Sequence, residues 1–453
     1  MIVNQAMESL SVEDLRRLQE RRALALVERV YATNPFYRAR FDAIGLRPQH
    51  VRSLGDFQRL VPFTDKKSLL DDQNTAPPYG SRALGDIRQF HLTSGTSGVG
   101  QEIHTLSAGD VEALGGAAHY QFGWAGIGAG DLVALTLPAG TTLAAPYFNQ
   151  AMLAVGAVPL YLGALEADAK VAMMRRFRPK ALVAVPAYLH RLEVVCRSMG
   201  IDPQREMPEL EVILTATEAF SPPWADRVQE FWGVRLHEWY GATQAAGVFM
   251  CTCEEGVLGE GARGVLHSLD HRVLVEVIDP DTGQQVADGE VGEAVVTVLH
   301  RESFPCLRFR MGDRIRRLPA GSCRCGRPFA SHESGTIARY DDMIKIRGLN
   351  VWPSLIDSVV LTPDVVAEYR GTVSMDAHTG REIVTVAVEF TRPLGDEEQG
   401  HWLETLGEAL RRTVGLSFTL EAVPIGSLPK TDFKIRRWTD DREAGRRGAE
   451  ART

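Results

Sequence analysis

With 453 residues, 44% hydrophobic and 24% charged, the chain has the composition of an ordinary globular protein large enough for two or three domains. Its net charge of −8 argues against a general nucleic-acid binder; the local cluster Arg308, Arg310, Arg314, Arg316 and Arg317 partly cuts against that, and a solvated strand face explains it as well. The opening MIVNQAMESLSVEDLRRLQERR carries acids and arginines where a secretory leader needs an apolar core. No later apolar run reaches membrane-spanning length, so a cytoplasmic protein without a membrane partner is expected.

From Val12 to about Phe41 the pattern predicts an amphipathic helix, with Leu15, Leu18, Ala25, Leu26 and Val30 on one stripe, and Pro35, Pro48 and Pro62 punctuate the end of that pattern and the irregular segment after it. After a glycine-rich stretch an alternation begins. Strands are expected at Leu132 to Leu137, Val158 to Leu162, Ala181 to Val185, Val212 to Thr215 and Val234 to Trp239, with helices between them, starting from about Ser107. Short apolar runs separated by helices predict β-α-β units and a mainly parallel sheet covered on both faces. From about His267 to Arg317 the period changes to two around the turn Asp279-Pro280-Asp281-Thr282-Gly283, which predicts antiparallel hairpins forming a small β-barrel region. Beyond Arg339 a compact α+β domain is expected. The fold class is therefore α/β, with a large N-terminal domain over residues 1–339, a smaller C-terminal domain over 340–438 and an unstructured tail over 439–453.

Ligands of an open parallel sheet collect beyond the carboxyl ends of its strands, where TATEAF (Thr215 to Phe220) and EWYGATQ (Glu238 to Gln244) are expected. The stretch Leu92 to Gly98, LTSGTSG, packs glycine next to hydroxyl side chains and is suited to wrap an oxyanion, although it lacks the Gly-Lys-Ser/Thr ending of a Walker loop. Four of the six cysteines form two Cys-x-Cys pairs, Cys251/Cys253 and Cys323/Cys325, while Cys196 and Cys306 stand in apolar surroundings.

Taken in order, LTSGTSG, WYGATQ (Trp239 to Gln244), RMGD (Arg310 to Asp313), ARYDDMIKIRGLNVWP (Ala338 to Pro353) and LPKTDFK (Leu428 to Lys434) resemble the adenylate-forming superfamily of acyl-CoA synthetases. The opening LVERVYATNPFYRARFDAIG, the segment LHRESFPCLRFRMGD and the CxCGR at Cys323 to Arg327 are similar to the phenylacetate-CoA ligase family. The resemblance implies a two-step reaction. ATP and a carboxylate form an acyl-adenylate and pyrophosphate, and a thiol, usually coenzyme A, then takes the acyl group.

The same resemblance assigns roles. Thr93, Ser94, Gly95, Thr96, Ser97 and Gly98 would hold the β and γ phosphates, and Asp313 would accept from both ribose hydroxyls. Tyr240 would stack on adenine beside Trp239, Gly241 and Ala242, with Ala216, Thr217 and Glu218 flanking the base, Thr243 reaching the phosphate and Arg339 touching ribose or phosphate. Lys434 would bridge the carboxylate and α-phosphate during adenylation. Asp341 would be the hinge about which the C-terminal domain rotates, and Lys345 and Gly348 would then face the thiol. Three positions depart from the family pattern: Ala338 and Phe433 replace glycines, and Gln244 replaces an acid that commonly helps hold Mg²⁺. An amide oxygen can still coordinate magnesium, but without the charge.

Tyr147, Phe148, Ala216, Gly241 and Gly247 are expected to form a flat acyl slot for an aromatic acid of the phenylacetate, benzoate or aminobenzoate type. Cys253, His267, Cys323 and Cys325 suit a structural zinc, with Cys251 or His271 as a substitute ligand; four reduced, unligated thiols are the alternative. A carrier protein or amine in place of coenzyme A, and a zinc-stabilised nucleotide-binding protein without turnover, are the competing functional readings. The resemblance also implies a homodimer.

Overall fold

The computed structural model describes residues 2–93, 100–259, 262–340, 342–347, 349–376, 381–429 and 437–442. The expected N-terminal helix is two helices, Val12–Thr33 and Pro35–Ala43. They break at Asn34, whose side chain accepts from the Tyr37 N–H and whose backbone is extended as the following proline demands. Leu15, Ala23, Leu26, Val27 and Val30 form the buried stripe of the first helix, and Ala25 is exposed.

The alternating segment builds an eight-stranded sheet. Five strands are parallel, in the spatial order Val158–Tyr161, Leu132–Leu135, Ala181–Val183, Val212–Thr215, Arg235–Ala242. Three antiparallel strands, Gly247–Thr252, Val265–Ser268 and Ser331–Glu333, extend it on the side of Arg235–Ala242. The central strands are buried along their length, as strands covered on both faces must be. Helix Ala108–Trp124 begins at the Ser107 cap, whose hydroxyl accepts from the Asp110 N–H while the Asp110 carboxylate accepts from the Ser107 N–H.

The hairpin region is a four-stranded antiparallel sheet, in the order Val273–Ile278, Val291–Val298, Phe309–Arg316, Ala338–Arg339. Burial alternates strictly along Phe309–Arg316. The solvated basic face expected here is corrected at its first two arginines. Arg308 is buried against Glu276, with Nη2 and Oε1 2.9 Å apart, and Arg310 is bound to Glu293, because a charge at such a half-covered position must be paired.

The C-terminal unit is a second sheet, in the order Thr419–Val423, Glu382–Phe390, Val366–Met375, Trp438–Asp440, with helices Pro353–Val360 and Asp396–Val414. Strand Trp438–Asp440 lies parallel to Val366–Met375 and carries ordered structure past the boundary expected at 438. It is held there by the Trp438 ring, which fills the space a Cβ would take at Gly371. The unit contacts the larger one through His190, whose ring Nε2 lies 3.1 Å from the Ala367 carbonyl oxygen, and through the Arg197–Asp364 ion pair at 2.9 Å. No helix among the described residues is long and apolar enough to cross a membrane.

Candidate active site

Strand Arg235–Ala242 delivers Trp239 and Tyr240 to its carboxyl end, and strand Phe309–Arg316 delivers Asp313 to meet them. The Tyr240 hydroxyl donates to Asp313 Oδ2 at 2.5 Å. Burial first, and then the Asp313 charge, push the Tyr240 hydroxyl well above the ordinary tyrosine range, so it remains a donor at neutral pH. Asp313 faces Arg339 across the paired strands, with Arg339 Nε 3.7 Å from Asp313 Oδ1. One tyrosine, one carboxylate and one arginine from three separate elements thus meet at one place. Gly312, at φ +68°, supplies the left-handed residue that lets the strand turn its next carboxylate inward, and its carbonyl accepts from the Tyr340 N–H.

The turn after Ala242 is pinned from below. Arg301, fully buried, donates to the carbonyls of Thr243 at 3.2 Å and Gln244 at 2.5 Å, and to the Thr105 carbonyl at 3.1 Å. Composition did not single out Arg301. Its only sequence signal is an arginine inside LHRESFP that the basic-run reading passes over. The neck of the glycine-rich stretch is a hairpin, Gln89–Leu92 with Ile103–Leu106, closed by Thr93 N–H to the Glu102 carbonyl and Glu102 N–H to Thr93 Oγ1, both 3.0 Å. Ser94, Gly95, Thr96, Ser97 and Gly98 lie outside the described residues, as do Asp341, Gly348 and Lys434. Lys345 is exposed on the short strand Ile344–Ile346.

On the neighbouring strand end, Ala216 is buried and Thr217 takes φ +75°, a strained conformation for a β-branched residue. Glu218 turns to the helix Pro186–Ser198 instead, where Oε2 accepts from the Ala187 N–H at 2.9 Å. It acts there as an acidic group at a helix N-terminus, where carboxylates are favoured.

Of the expected slot residues, Tyr147, Phe148, Gly241 and Gly247 come together, with both rings buried. Tyr147 and Phe148 are 2% and 0% exposed. The Tyr147 ring lies 2.4 Å from where a Cβ would stand at Gly247, its hydroxyl donates to Gln121 Oε1 at 3.0 Å, and Phe148 packs edge-on to Trp239 with centroids 5.2 Å apart. Gly241 is required by the Gly247 carbonyl, 2.7 Å from the position of a Cβ.

Beside Trp239, buried Glu238 accepts from the Ser334 hydroxyl at 2.6 Å and the Gly335 N–H at 2.7 Å. Burial outweighs both bonds and raises its carboxyl to about 7. A carboxyl raised above its ordinary 4.5 makes the folded chain take up a proton, so stability is full below pH 4.5 and declines as pH rises towards 7. Glu238→Gln, which keeps an acceptor oxygen, is expected to flatten the fall in melting temperature between pH 5 and 8. An undiminished fall would locate the effect elsewhere.

Away from this site, the ligand atoms of Cys253, His267, Cys323 and Cys325 all lie within 4.8 Å of one another. Cys253 and Cys323 sulfurs are 3.6 Å apart, and Cys325 Sγ is 3.4 Å from His267 Nε2. Neither substitute belongs to the group. Cys251 is paired across the strands from His267, and His271 lines a separate cavity of about 660 Å³ against Tyr120.

The family model described as "AMP-binding enzyme" matches residues 46–298, and "AMP-binding enzyme C-terminal domain" matches residues 348–442. A phenylacetate-coenzyme A ligase of Thermus thermophilus is 29% identical over 461 residues, covering 98% of this chain and 100% of its own. One from Escherichia coli is 28% identical over 453 residues, covering 96% of each. Among solved structures, a 2-hydroxyisobutyryl-CoA ligase in the postadenylation state has a TM-score of 0.87 at 23% identity, over 99% of this chain and 94% of its own, which establishes the shared fold. The chain is therefore a member of the AMP-binding enzyme family, in the adenylate-forming superfamily and similar to the phenylacetate-CoA ligases.

Proposed function

We propose that the chain activates an aromatic carboxylic acid, of the phenylacetate, benzoate or aminobenzoate type, and passes the acyl group to coenzyme A. The coarser chemistry is that of its family: an AMP-forming acid–CoA ligase that adenylates a carboxylate with ATP, releases pyrophosphate and forms a thioester. The observation that carries this reading is the convergence of Tyr240, Asp313 and Arg339 beside the Thr243 turn. A carboxylate accepts from two adjacent hydroxyls, so Asp313 suits a ribose, and an aromatic ring beside it suits a purine. The aromatic class is supported by the relatives' phenylacetate and by the Tyr147, Phe148 and Gly247 arrangement, whose rings must shift to admit a substrate.

In adenylation a carboxylate oxygen meets the α-phosphate, and two negative charges approach in a site that excludes water. Lys434, by its match to the family lysine, would neutralise that charge, and Thr243 would donate its hydroxyl to the phosphate. The C-terminal domain would then turn about Asp341, withdrawing Lys434 and bringing Lys345 and Gly348 to the thiol. Magnesium, when bound, would screen the β and γ phosphates; Gln244 offers it a neutral amide oxygen.

The Cys253, His267, Cys323 and Cys325 cluster fits zinc. Ligands at about 2.3 Å for sulfur and 2.1 Å for nitrogen, set tetrahedrally, stand about 3.5 to 3.8 Å from each other. The observed 3.6 and 3.4 Å separations are of that size. The ion would brace the strand ends and take no part in the reaction.

A pyrophosphate-release screen across aromatic and aliphatic carboxylates tests the reading. Aromatic acids are expected to drive release and to yield CoA thioesters; preference for a short hydroxy acid, or transfer to a carrier thiol alone, would replace it. Lys434→Ala is expected to lose pyrophosphate release while keeping thioester formation from supplied acyl-adenylate. Equal loss of both steps would contradict the role given to the lysine.

A further inference from the structure

Gln244 donates from Nε2 to Glu102 Oε2 at 2.9 Å, and His104 Nε2 lies 2.8 Å from the same oxygen. Both contacts fall on Oε2, and Oε1 accepts no hydrogen bond among the described residues. Glu102 is 2% exposed, yet among the described residues no lysine or arginine is ion-paired with it. Glu102 therefore presents a buried carboxylate bounded by a histidine ring and a side-chain amide, with no direct ion pair to lysine or arginine among the described residues.

Its location makes that charge unusual. Glu102 closes the neck of the hydroxyl-rich stretch through its two bonds to Thr93, and through Gln244 it touches the turn that carries Thr243. Under the function proposed above, a triphosphate must sit here. A bare carboxylate would repel it, whereas a divalent cation between the two turns repulsion into attraction. An ionised carboxylate only accepts, so the Gln244 amide must turn its NH₂ towards Glu102, which leaves the Gln244 carbonyl oxygen facing elsewhere.

We propose that Glu102 supplies the carboxylate that residue 244 lacks, and that Glu102 and Gln244 together ligate the magnesium ion of bound MgATP. The carboxylate then stands just before strand Ile103–Leu106, across from the turn that carries Gln244. This inference rests on the nucleotide reading, and its test separates the two.

Manganese, which is visible by electron paramagnetic resonance, serves as the probe in the full-length chain with ATP and no acid, so that no turnover is required. If the parent binds no Mn²⁺–ATP, the nucleotide reading itself falls. If it does, Glu102→Gln is expected to weaken Mn²⁺ in the ATP complex by about tenfold or more, since ligand charge sets affinity at oxygen sites. The swap Glu102→Gln with Gln244→Glu is expected to return affinity to within about threefold of the parent, because it restores one carboxylate to the pair. Gln244→Glu alone places two carboxylates within hydrogen-bonding reach. It is expected to add an ionisation to the pH dependence of Mn²⁺ binding.

A folded Glu102→Gln variant with parental Mn²⁺ affinity, or a folded swap that does not regain it, would overturn the proposal. Should the variants not fold, the parent decides: with glutamate labelled with ¹³C at the side-chain carboxyl, nuclear coupling to bound Mn²⁺ supports ligation. Its absence overturns it.

Discussion

Replacing Asp313 with alanine is expected to lower kcat/KM for ATP by about a thousandfold, since two hydrogen bonds to a charged acceptor are lost at roughly 1.5–3 kcal/mol each. The loss has a second source. Asp313 accepts the Tyr240 hydroxyl at 2.5 Å and faces Arg339 at 3.7 Å, so truncation leaves a buried hydroxyl without its acceptor and an arginine without its carboxylate. Tyr240 would then be free to move, and its ring is the surface proposed to meet the base. Asp313→Asn keeps one acceptor oxygen but adds an NH₂ where hydroxyls donate, and is expected to fall between the parent and alanine. Calorimetric titration with AMP checks this without turnover, and a thermal melt shows whether the fold is retained. A folded Asp313→Ala protein with parental AMP affinity would remove Asp313 from the nucleotide site.

The second large effect is expected at the cysteine and histidine cluster. Purified protein is expected to contain one zinc per chain, and removing it by chelation is expected to lower the melting temperature by about 10 °C or more, a loss of several kcal/mol. The physical reason is connectivity. Cys253 follows strand Gly247–Thr252, His267 lies within strand Val265–Ser268, and Cys323 and Cys325 sit on the loop before strand Ser331–Glu333. One ion would close three separate chain segments at the edge of the large sheet. Cys325→Ser should release the metal and reproduce the chelated melting curve. Cys251→Ser, at a buried thiol outside the cluster, should leave metal content unchanged. Metal-free protein with an unaltered melt after chelation would leave only four reduced thiols.

Strands and their order of appearance were legible because burial on both faces leaves continuous apolar runs: Val212–Thr215 lies where the sequence places it, and Leu132 to Leu137 is overextended by only two residues. The break at Asn34 was marked in the sequence by Pro35 alone, because helical periodicity continues through Tyr37 and Phe41 on the far side of the cap. Glu218 shows a different limit. Its carboxylate accepts from the Ala187 N–H of a helix about thirty residues away, a contact that its place in TATEAF does not encode. Tyr147 and Phe148 were correctly grouped with Gly247, yet whether rings line or fill a slot depends on packing that no residue spacing encodes.

The sequence by itself determined the family and the strands in their order of appearance, and through the family motifs and the Cys-x-Cys pairs it singled out Tyr240, Asp313, Cys253, His267, Cys323 and Cys325, because hydrophobic period and short motifs survive as local pattern. Only the tertiary structure decided that Arg301 pins the Thr243 turn and that Glu102 stands against Gln244. Those contacts join segments 58 and 142 residues apart along the chain. A charge buried against a distant backbone carbonyl or amide is settled by desolvation in the folded core, and it leaves no periodic trace in the chain that supplies it.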